Sequence, residues 1–347
     1  MRPVQGPGIC LMAACMVLTV QGCNLFEPAD LGTHDDYSAE FELVWQTFDR
    51  HYAGFIFTDA DWSAAHEYYS ALVDTVTSQD GLAAILADML SLLQDPSIYL
   101  QSPEGAITFP FPLEIEPNCD EGVLMGYLEQ AGLHWFIPDV WGYAVFQDSI
   151  PYVVILAWTG GMYPQDLSDL LDDYPDAPAL IIDERLAPGG NQLGMRQIAM
   201  RFNDRKRVGF YTVGRNGPGH GDLCDPIPYY VYGMSGYFDK PVAVIIGEAD
   251  KGTSQRFAAM CGEIPSVTLI GDTTWAYADF FSSLQALPGG WSYSLPDSTV
   301  VLADSSTWLN GIGVAPDIYV EATEEDFAQG VDPVLEYAVD WAASQGR

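Results

Sequence analysis

The stretch PVAVIIGEADKGTSQRFAAM, residues 241–260, joins an apolar run to a helical pattern through a short turn. The run PVAVII is typical of a strand that is buried on both faces. The segment SQRFAAMCGEI that follows has the apolar spacing of a helix. A sharp strand-to-helix turn with Ser or Thr at the bend is where many hydrolases carry their nucleophile. The sequence therefore predicts an elbow here, and Ser254 becomes a candidate nucleophile.

Segments on both sides of this elbow alternate between strand and helix patterns. ALIIDER and VTLIGD predict buried strands, and paired strands are expected around WSYSLPDSTVVLAD. QDLSDLLDDY, GMRQIAMRF and DPVLEYAVDWAAS predict helices, the last with Pro333 in its first turn. This alternation indicates an α/β core with buried parallel strands, which we place at residues 101–345.

A separate helical unit is predicted at residues 37–100. FELVWQTFDRHY, DWSAAHEYYSALVDTV and GLAAILADMLSLL each place apolar residues on one face, and Asp61 is a plausible helix cap. After this unit, short strands are predicted at FPFPLEI, GVLMGYLEQ, LHWFI, WGYAVF and YVVILAW.

The charge of the chain excludes some classes of partner. Its 347 residues include 13 basic and 48 acidic side chains, for a formal net charge of -35. Nucleic acids and anionic lipid surfaces need clustered Lys and Arg, so neither is expected as a partner. We also expect no metal site and no cofactor.

The N-terminus predicts export. Arg2 precedes the apolar segment ICLMAACMVLTV, which is too short to span a bilayer comfortably and reads as a signal-peptide core over residues 1–22. The ending VQGC resembles the lipobox of bacterial lipoproteins, with Cys23 as the lipidated residue and residues 23–36 as a tether. A signal that is cleaved without lipidation is the alternative, because Gln21 is uncommon in such a box. Lipid at Cys23 would anchor the protein to a membrane at the cell envelope.

The remaining cysteines leave two alternatives open. Cys119 and Cys224 lie in polar loops next to prolines, whereas Cys261 lies on a helical pattern and resembles a small buried apolar residue. Either Cys119 and Cys224 form a disulfide, which an exported protein can retain, or all three are unpaired thiols. No pair has the short spacing of a zinc site.

The stretch LIIDERLAPGGN, residues 180–191, runs from a buried strand into Gly189 and Gly190. Paired glycines allow backbone N–H groups to point at a ligand oxygen, as an oxyanion hole requires. The alternative is a tight strand-to-helix turn. Asp183 and Arg185 form either an orienting pair or, as we prefer, a salt bridge that supports the turn.

Taken together, these segments resemble the C-terminal-processing (tail-specific, tricorn-core-like) serine peptidases over roughly residues 38–343. The resemblance rests on several segments in the family's order: FELVWQTFDRHYAGF, LQDPSIYL, WGYAVF, LIIDERLAPGGN, KPVAVIIGEADKGTSQRFA, TLIGDTTW, LPGGWSYSLP and GIGVAPDIYV. Ala187 departs from the Asn of the family pattern. The resemblance implies a crotonase/ClpP-like ββα-spiral core, and no segment resembles the PDZ module that many members carry.

The same resemblance implies that the catalytic positions have been replaced. Gly252 occupies the position of the nucleophilic Ser, Ser97 that of the His, and Asn310 that of the Glu. Tyr277 stands where another branch of the family has a catalytic Lys. A nucleophile needs a base within hydrogen-bond reach to take its proton. We therefore expect no serine-peptidase activity.

Ser254 lies two residues after the family's nucleophile position and has two interpretations. It is either a helix N-cap or first-turn residue, which we prefer, or a relocated nucleophile. The second interpretation needs a new base, and His220 is the one candidate that we can name.

A cluster of basic residues follows the Gly-Gly turn: Arg196, Arg201, Arg205, Lys206, Arg207 and Arg215. These residues could hold the carboxylates of a peptide at the rim of a cleft, or they could balance charge on a helix and the following loop. We take Gly189, Gly190, Thr253, Arg201 and Arg207 as candidate ligand contacts. The expected function is recognition of a peptide or protein segment at the cell envelope. The rivals are an active endopeptidase that uses Ser254 and a scaffold protein with an unused cleft.

Overall fold

A computed structural model of the chain describes residues 36–113, 115, 117–162, 164–276 and 280–346. The helices are α1 (Tyr37–His51), α2 (Trp62–Val73), α3 (Gln79–Ser91), α4 (Glu121–Gln130), α5 (Pro164–Asp173), α6 (Gln192–Ala199), α7 (Thr253–Cys261), α8 (Glu324–Ala328) and α9 (Pro333–Ser344). The strands are β1 (Leu100–Gln101), β2 (Ile107–Thr108), β3 (His134–Ile137), β4 (Trp141–Phe146), β5 (Ile150–Ile155), β6 (Leu180–Asp183), β7 (Arg207–Gly214), β8 (Ile227–Val231), β9 (Val242–Ile246), β10 (Val267–Gly271), β11 (Phe280–Ala286), β12 (Ser292–Leu302) and β13 (Ile318–Tyr319). Within the described part of the chain, each helix is too short or too polar to cross a bilayer.

The strand that leads to the predicted elbow, β9, lies inside a largely parallel sheet. The order in this sheet is β13-β10-β9-β6-β5-β4-β3. Strands β13, β10, β9, β6 and β5 are parallel to one another, whereas β4 pairs antiparallel with both β5 and β3. All residues of β5, β6 and β9 are buried, as continuous apolar runs predict.

Alternate residues of these strands enter two different cores. Ile182 and Val244 pack in the core that α5, α6 and α7 share with the sheet. Ile181 and Ile245 pack in the core on the opposite face, with α4 and α9. This period of two follows from the alternation of side chains along a strand. The predicted α/β fold class is confirmed.

A second sheet connects this core to the N-terminal helices. Its order is β2-β1-β12-β7-β8, and β11 also pairs with β12. Helices α1, α2 and α3 share a core with Tyr293 and Leu295 of β12. The indole rings of Trp45 and Trp62 stack with centroids 6.4 Å apart and join α1 to α2. Of the described residues between α3 and β4, the regular elements are β1, β2, α4 and β3, and they do not form a PDZ module.

Three secondary-structure expectations are wrong. FPFPLEI was predicted as a strand, but its described residues 109–113 and 115 lie outside the strands. GVLMGYLEQ, predicted as a strand, lies in α4, because Asp120 caps the helix by accepting a hydrogen bond from Val123 N at 2.8 Å. Leu124 and Leu128, one helical turn apart, are both fully buried. Residues 207–214, expected as a loop after a helix, form β7 between β8 and β12.

The three cysteines of the described chain are unpaired thiols. Cys119 and Cys261 are buried, and Cys224 Sγ accepts a hydrogen bond from Gly214 N at 3.3 Å. The Cys119–Cys224 disulfide is therefore not the alternative that the structure adopts.

The fully buried guanidinium of Arg185 interacts with residues from three segments that are distant in the sequence. Arg185 Nη2 lies 2.7 Å from Asp183 Oδ2 and 2.8 Å from Asp332 Oδ2. Its Nη1 donates to the carbonyl oxygen of Asn118 at 2.9 Å. Asp332 also caps α9 by accepting a hydrogen bond from Leu335 N at 3.0 Å. Arg185 and Asp183 thus form the predicted salt bridge, and this salt bridge extends to α9.

Two further carboxyl groups are buried nearby without a basic partner. Glu184 follows β6, Asp250 lies between β9 and α7, and both side chains are fully buried. Trp158 Nε1 donates to Glu184 Oε2 at 3.2 Å, and Gly247 N donates to Asp250 Oδ2 at 2.9 Å. The second oxygen of each carboxyl has no hydrogen-bond partner among the described residues. Burial raises the pKa of both groups well above the usual range, and for Glu184 the charge of Asp250 raises it further.

Replacing Arg185 by Met should destabilise the fold strongly. The variant leaves Asp183 and Asp332 buried without their cation, which typically costs about 3–5 kcal/mol. Urea unfolding followed by circular dichroism measures the loss. Arg205→Met is the matched control, since Arg205 is exposed and should change the free energy of unfolding by no more than about 0.5 kcal/mol. Equal effects of the two variants would contradict the role given to Arg185.

Glu184→Gln should weaken the pH dependence of stability. The pKa of Glu184 is higher in the folded than in the unfolded protein. Its contribution to the free energy of unfolding is therefore fully present below the unfolded pKa of about 4.3, and it is lost as pH rises through the folded pKa. The melting temperature of the wild type should thus fall more steeply with rising pH than that of Glu184→Gln. Asp304→Asn is the control: hydrogen bonds from Thr307 and Ser306 lower the pKa of exposed Asp304 to about 2. The contribution of Asp304 to the free energy of unfolding is lost only as pH falls toward that pKa. At neutral and alkaline pH, the melting temperature of Asp304→Asn should therefore change with pH as steeply as that of the wild type.

Candidate functional site

The elbow between β9 and α7 is present and has a backbone conformation that favours glycine. Gly252 has φ 58° and ψ −114° and forms the N-cap of α7. Arg256 N donates to its carbonyl oxygen at 3.1 Å, and Trp275 N donates to the carbonyl oxygen of Asp250 at 3.0 Å. An ideal Cβ at residue 252 would meet no atom within 4 Å. A side chain at this position would project into open space, but glycine provides none.

The Gly-Gly turn lies directly against this elbow. Gly189 and Gly190 have φ values of 100° and 134°. An ideal Cβ at residue 189 would lie 3.0 Å from the carbonyl oxygen of Lys251 and 3.9 Å from the Cα of Gly252. Thr253 Oγ1 donates to the carbonyl oxygen of Gly190 at 2.7 Å. The structure therefore brings Gly189, Gly190, Gly252 and Thr253 together.

Glycine at residue 190 is also required by close packing. An ideal Cβ there would lie 2.1 Å from the carbonyl oxygen of Trp158, a distance that no side chain tolerates. Trp158 N donates to the carbonyl oxygen of Gly189 at 3.3 Å, and Asn191 N donates to the carbonyl oxygen of Trp158 at 2.8 Å. The carbonyl oxygens of Gly189 and Gly190 thus both accept hydrogen bonds from other parts of the protein.

Ser254 is buried behind the turn. It is the second residue of α7 and is fully inaccessible to solvent. Its hydroxyl donates to the carbonyl oxygen of Ala187 at 2.9 Å and accepts from Trp158 Nε1 at 3.0 Å. The hydroxyl of Ser254 therefore fixes the Gly-Gly loop to α7, in agreement with the first-turn interpretation.

His220, the candidate base for Ser254, contacts a different part of the chain. Its Nε2 lies 2.9 Å from Asp49 Oδ1 at the end of α1. Its ring stacks on Phe55 with centroids 3.6 Å apart. No hydrogen bond between Ser254 and a histidine is present in the described part of the chain, so the proton acceptor that a relocated nucleophile needs is not provided by His220.

Two other family positions, at Ser97 and Asn310, lie within the described residues. Ser97 Oγ donates to Asp95 Oδ1 at 2.6 Å, in the turn after α3. Asn310 Oδ1 is buried and has no hydrogen-bond partner among the described residues. Tyr277 and Cys23 lie outside the described residues.

The basic residues after the Gly-Gly turn occupy separate environments. Arg201 Nη1 donates to the sulfur of Met234 at 3.0 Å. Arg207 pairs with Asp204, with Nη2 2.6 Å from Oδ1. Arg215 donates to the carbonyl oxygen of Tyr52 at 3.2 Å, on the helical unit. The expected single patch at the rim of the cleft is therefore divided, and the guanidinium of Arg207 already has a carboxylate partner.

Three residues of this site were not singled out from the sequence. Trp158 connects the turn to Ser254, and the buried carboxyls of Glu184 and Asp250 lie where the two loops begin. An acidic residue directly after a buried strand is the signal that could have identified Glu184. Trp158 carries no local signal, because its partners are distant in the sequence.

Residues 149–320 match the sequence profile of Peptidase family S41, and residues 33–91 match that of the Tricorn protease C1 domain. A solved structure described as "a putative peptidase from Parabacteroides merdae" is similar to the chain, with a TM-score of 0.77 and 26% sequence identity over 88% of this chain and 96% of that one.

Two curated proteins are also similar in sequence. The "Putative Tricorn-like protease C-terminal subunit" of Sulfurisphaera tokodaii is 28% identical over 174 residues, which cover 48% of this chain and 18% of that protein. The "Tricorn protease" of Thermoplasma acidophilum is 25% identical over 161 residues, which cover 46% and 14%. The chain thus matches less than a fifth of the length of these curated relatives. Together with the ordered segments, the elbow and the Gly-Gly turn, these similarities lead to one conclusion: the chain belongs to peptidase family S41.

Proposed function

We propose that this protein is a member of family S41 that does not cleave peptides and instead recognises a peptide or protein segment at the cell envelope. The observation that carries the proposal is the elbow at Gly252. Its positive φ suits glycine and would strain a residue with a side chain, and glycine leaves the open space beside the elbow without a nucleophile.

Catalysis would need a nucleophile with a base within hydrogen-bond reach, whereas the two hydroxyls at the elbow donate to backbone carbonyl oxygens. The Ser254 hydroxyl is buried and donates to the carbonyl oxygen of Ala187. Thr253 donates its hydroxyl to the carbonyl oxygen of Gly190. In a comparable triad, loss of the nucleophile or its base lowers turnover on the order of 10⁶-fold.

The backbone around the elbow supports ligand recognition. Gly189 and Gly190 bring the loop against the N-terminus of α7, where N–H groups favour oxygen ligands with partial or full negative charge. The carbonyl oxygens of Ala187, Gly189 and Gly190 accept hydrogen bonds from the protein. These hydrogen bonds offset the partial negative charge of the carbonyl oxygens, which therefore repel such a ligand less. A peptide carbonyl or carboxylate is the matching group.

The location at the envelope rests on the sequence. The apolar segment ending in VQGC supports export and a lipid anchor at Cys23. The net charge of -35 gives no support for nucleic acid as a partner.

The purified full-length protein should show no serine-peptidase activity. It would be incubated with unfolded protein substrates and with a fluorophosphonate probe, which reacts with activated serines. We expect no cleavage and no labelling. Gly252→Ser should also be inactive, because a serine at the elbow would still lack a base.

Labelling of the wild type that disappears in Ser254→Ala would overturn this proposal and show a relocated nucleophile. Ser97→Ala is the matched control. The hydroxyl of Ser97 also donates a hydrogen bond to a neighbouring oxygen, but Ser97 lies in the turn after α3.

Lipidation at Cys23 predicts that the protein is retained at membranes. In a bacterium that produces the protein, the wild type should sediment with membranes, whereas Cys23→Ala should not be retained there by a lipid. Metabolic labelling with a fatty acid analogue distinguishes the lipid from other membrane contacts. Equal labelling of the two proteins would contradict the anchor at Cys23.

A further inference from the structure

A groove lies between α6 and the segment that follows β8. Its volume is about 350 Å³, and its lining residues are Pro164, Leu193, Arg196, Gln197, Met200, Tyr232 and Met234. Helix α6 begins at Gln192, directly after the Gly-Gly turn. The groove therefore begins within about one helical turn of the candidate cleft.

The walls of this groove are apolar and partly exposed. Leu193 is 50% exposed and Tyr232 is 43% exposed. Methionine side chains such as Met200 and Met234 are flexible and adapt to ligands of different shape. The groove thus offers a site for an apolar side chain.

Arg196, which lines this groove, and Arg201, which contacts Met234 of its wall, have no carboxylate partner among the described residues. The guanidinium of Arg196 lies 5.5 Å from the ring centroid of Tyr229, and none of the ion pairs among the described residues includes it. Arg201 donates from Nη1 to the sulfur of Met234, and its Nε is buried with no hydrogen-bond partner among the described residues. A neutral sulfur is a weak acceptor for a charged donor.

The position of these two arginines distinguishes them from the others. Among the described residues, Arg185 and Arg207 form ion pairs with carboxylates, whereas Arg205 and Arg215 do not. Arg196 lines the apolar groove and Arg201 contacts Met234 of its wall, so both are positioned for a carboxylate from outside the chain.

We propose that this groove binds an acidic peptide segment in which an apolar side chain is followed by Asp or Glu. The apolar side chain occupies the groove near Leu193 and Met200, and the carboxylate pairs with Arg196 and Arg201. This inference rests on the proposed function and specifies the class of ligand for it.

Fluorescence polarisation with two peptides tests the inference on the full-length protein. The peptides are blocked at both termini and differ only in a Leu-Glu or a Leu-Gln pair within a Gly/Ser sequence. We expect the Glu peptide to bind roughly tenfold more tightly, the factor given by one hydrogen bond to a charged group. Arg196→Gln and Arg201→Gln should each reduce this preference, and the double variant should remove it.

Arg205→Gln is the matched control, since it removes the same charge from an exposed side chain and should leave the preference unchanged. Leu193→Ser should weaken the binding of both peptides alike. The ratio of the two affinities is insensitive to a partly unfolded sample, which weakens both. Equal binding of the Glu and Gln peptides, or an equal effect of Arg205→Gln, would overturn this inference alone. A protein that binds neither peptide, nor any peptide of a random array, would contradict the proposed function as well.

Discussion

The close approach of two backbone segments, the Gly-Gly turn after β6 and the elbow after β9, determines the site. An ideal Cβ at residue 189 would lie 3.0 Å from the carbonyl oxygen of Lys251, and one at residue 190 would overlap the carbonyl of Trp158. Only glycine combines these contacts with φ values of 100° and 134°. The hydroxyls of Thr253 and Ser254 then hold the turn against α7. The two loops of the site are thus held together by glycine backbones and by two hydroxyl groups of α7.

Buried charges support these two segments at their origin in the sheet. Arg185 joins the end of β6 to the cap of α9 through Asp183 and Asp332. Beside this network, Glu184 and Asp250 are buried without a cation, and burial favours their neutral forms. Parallel strands place their carboxyl ends at one edge of the sheet, so these groups come together beneath the loops. Two carboxyl groups whose pKa burial raises therefore lie beneath the loops of the site.

Local patterns in the sequence were sufficient to predict much of the fold and part of the candidate site. Continuous apolar runs predicted the buried parallel strands, and the glycines at residues 189 and 190 predicted the turn, because both depend on the chain's own steric limits. The helix α4 was missed, since its cap and its Leu124–Leu128 pair compete with an alternating pattern. Contacts such as Trp158 with Ser254 could not be predicted, because they depend on how distant segments pack. For the same reason, the sequence grouped Arg207 and Arg215 with Arg201, whereas the structure separates them.

In the proposed function, the cleft binds a peptide and leaves it intact. Titration of the isotope-labelled protein with the terminally blocked Leu-Glu peptide, followed by nuclear magnetic resonance, tests it most directly. We expect saturable shifts of the backbone amide signals of Gly189, Gly190, Leu193 and Thr253, and an unchanged peptide mass in the same sample afterwards. A cleaved peptide, or saturable shifts confined to residues away from these loops and from α6, would show that the proposed function is wrong.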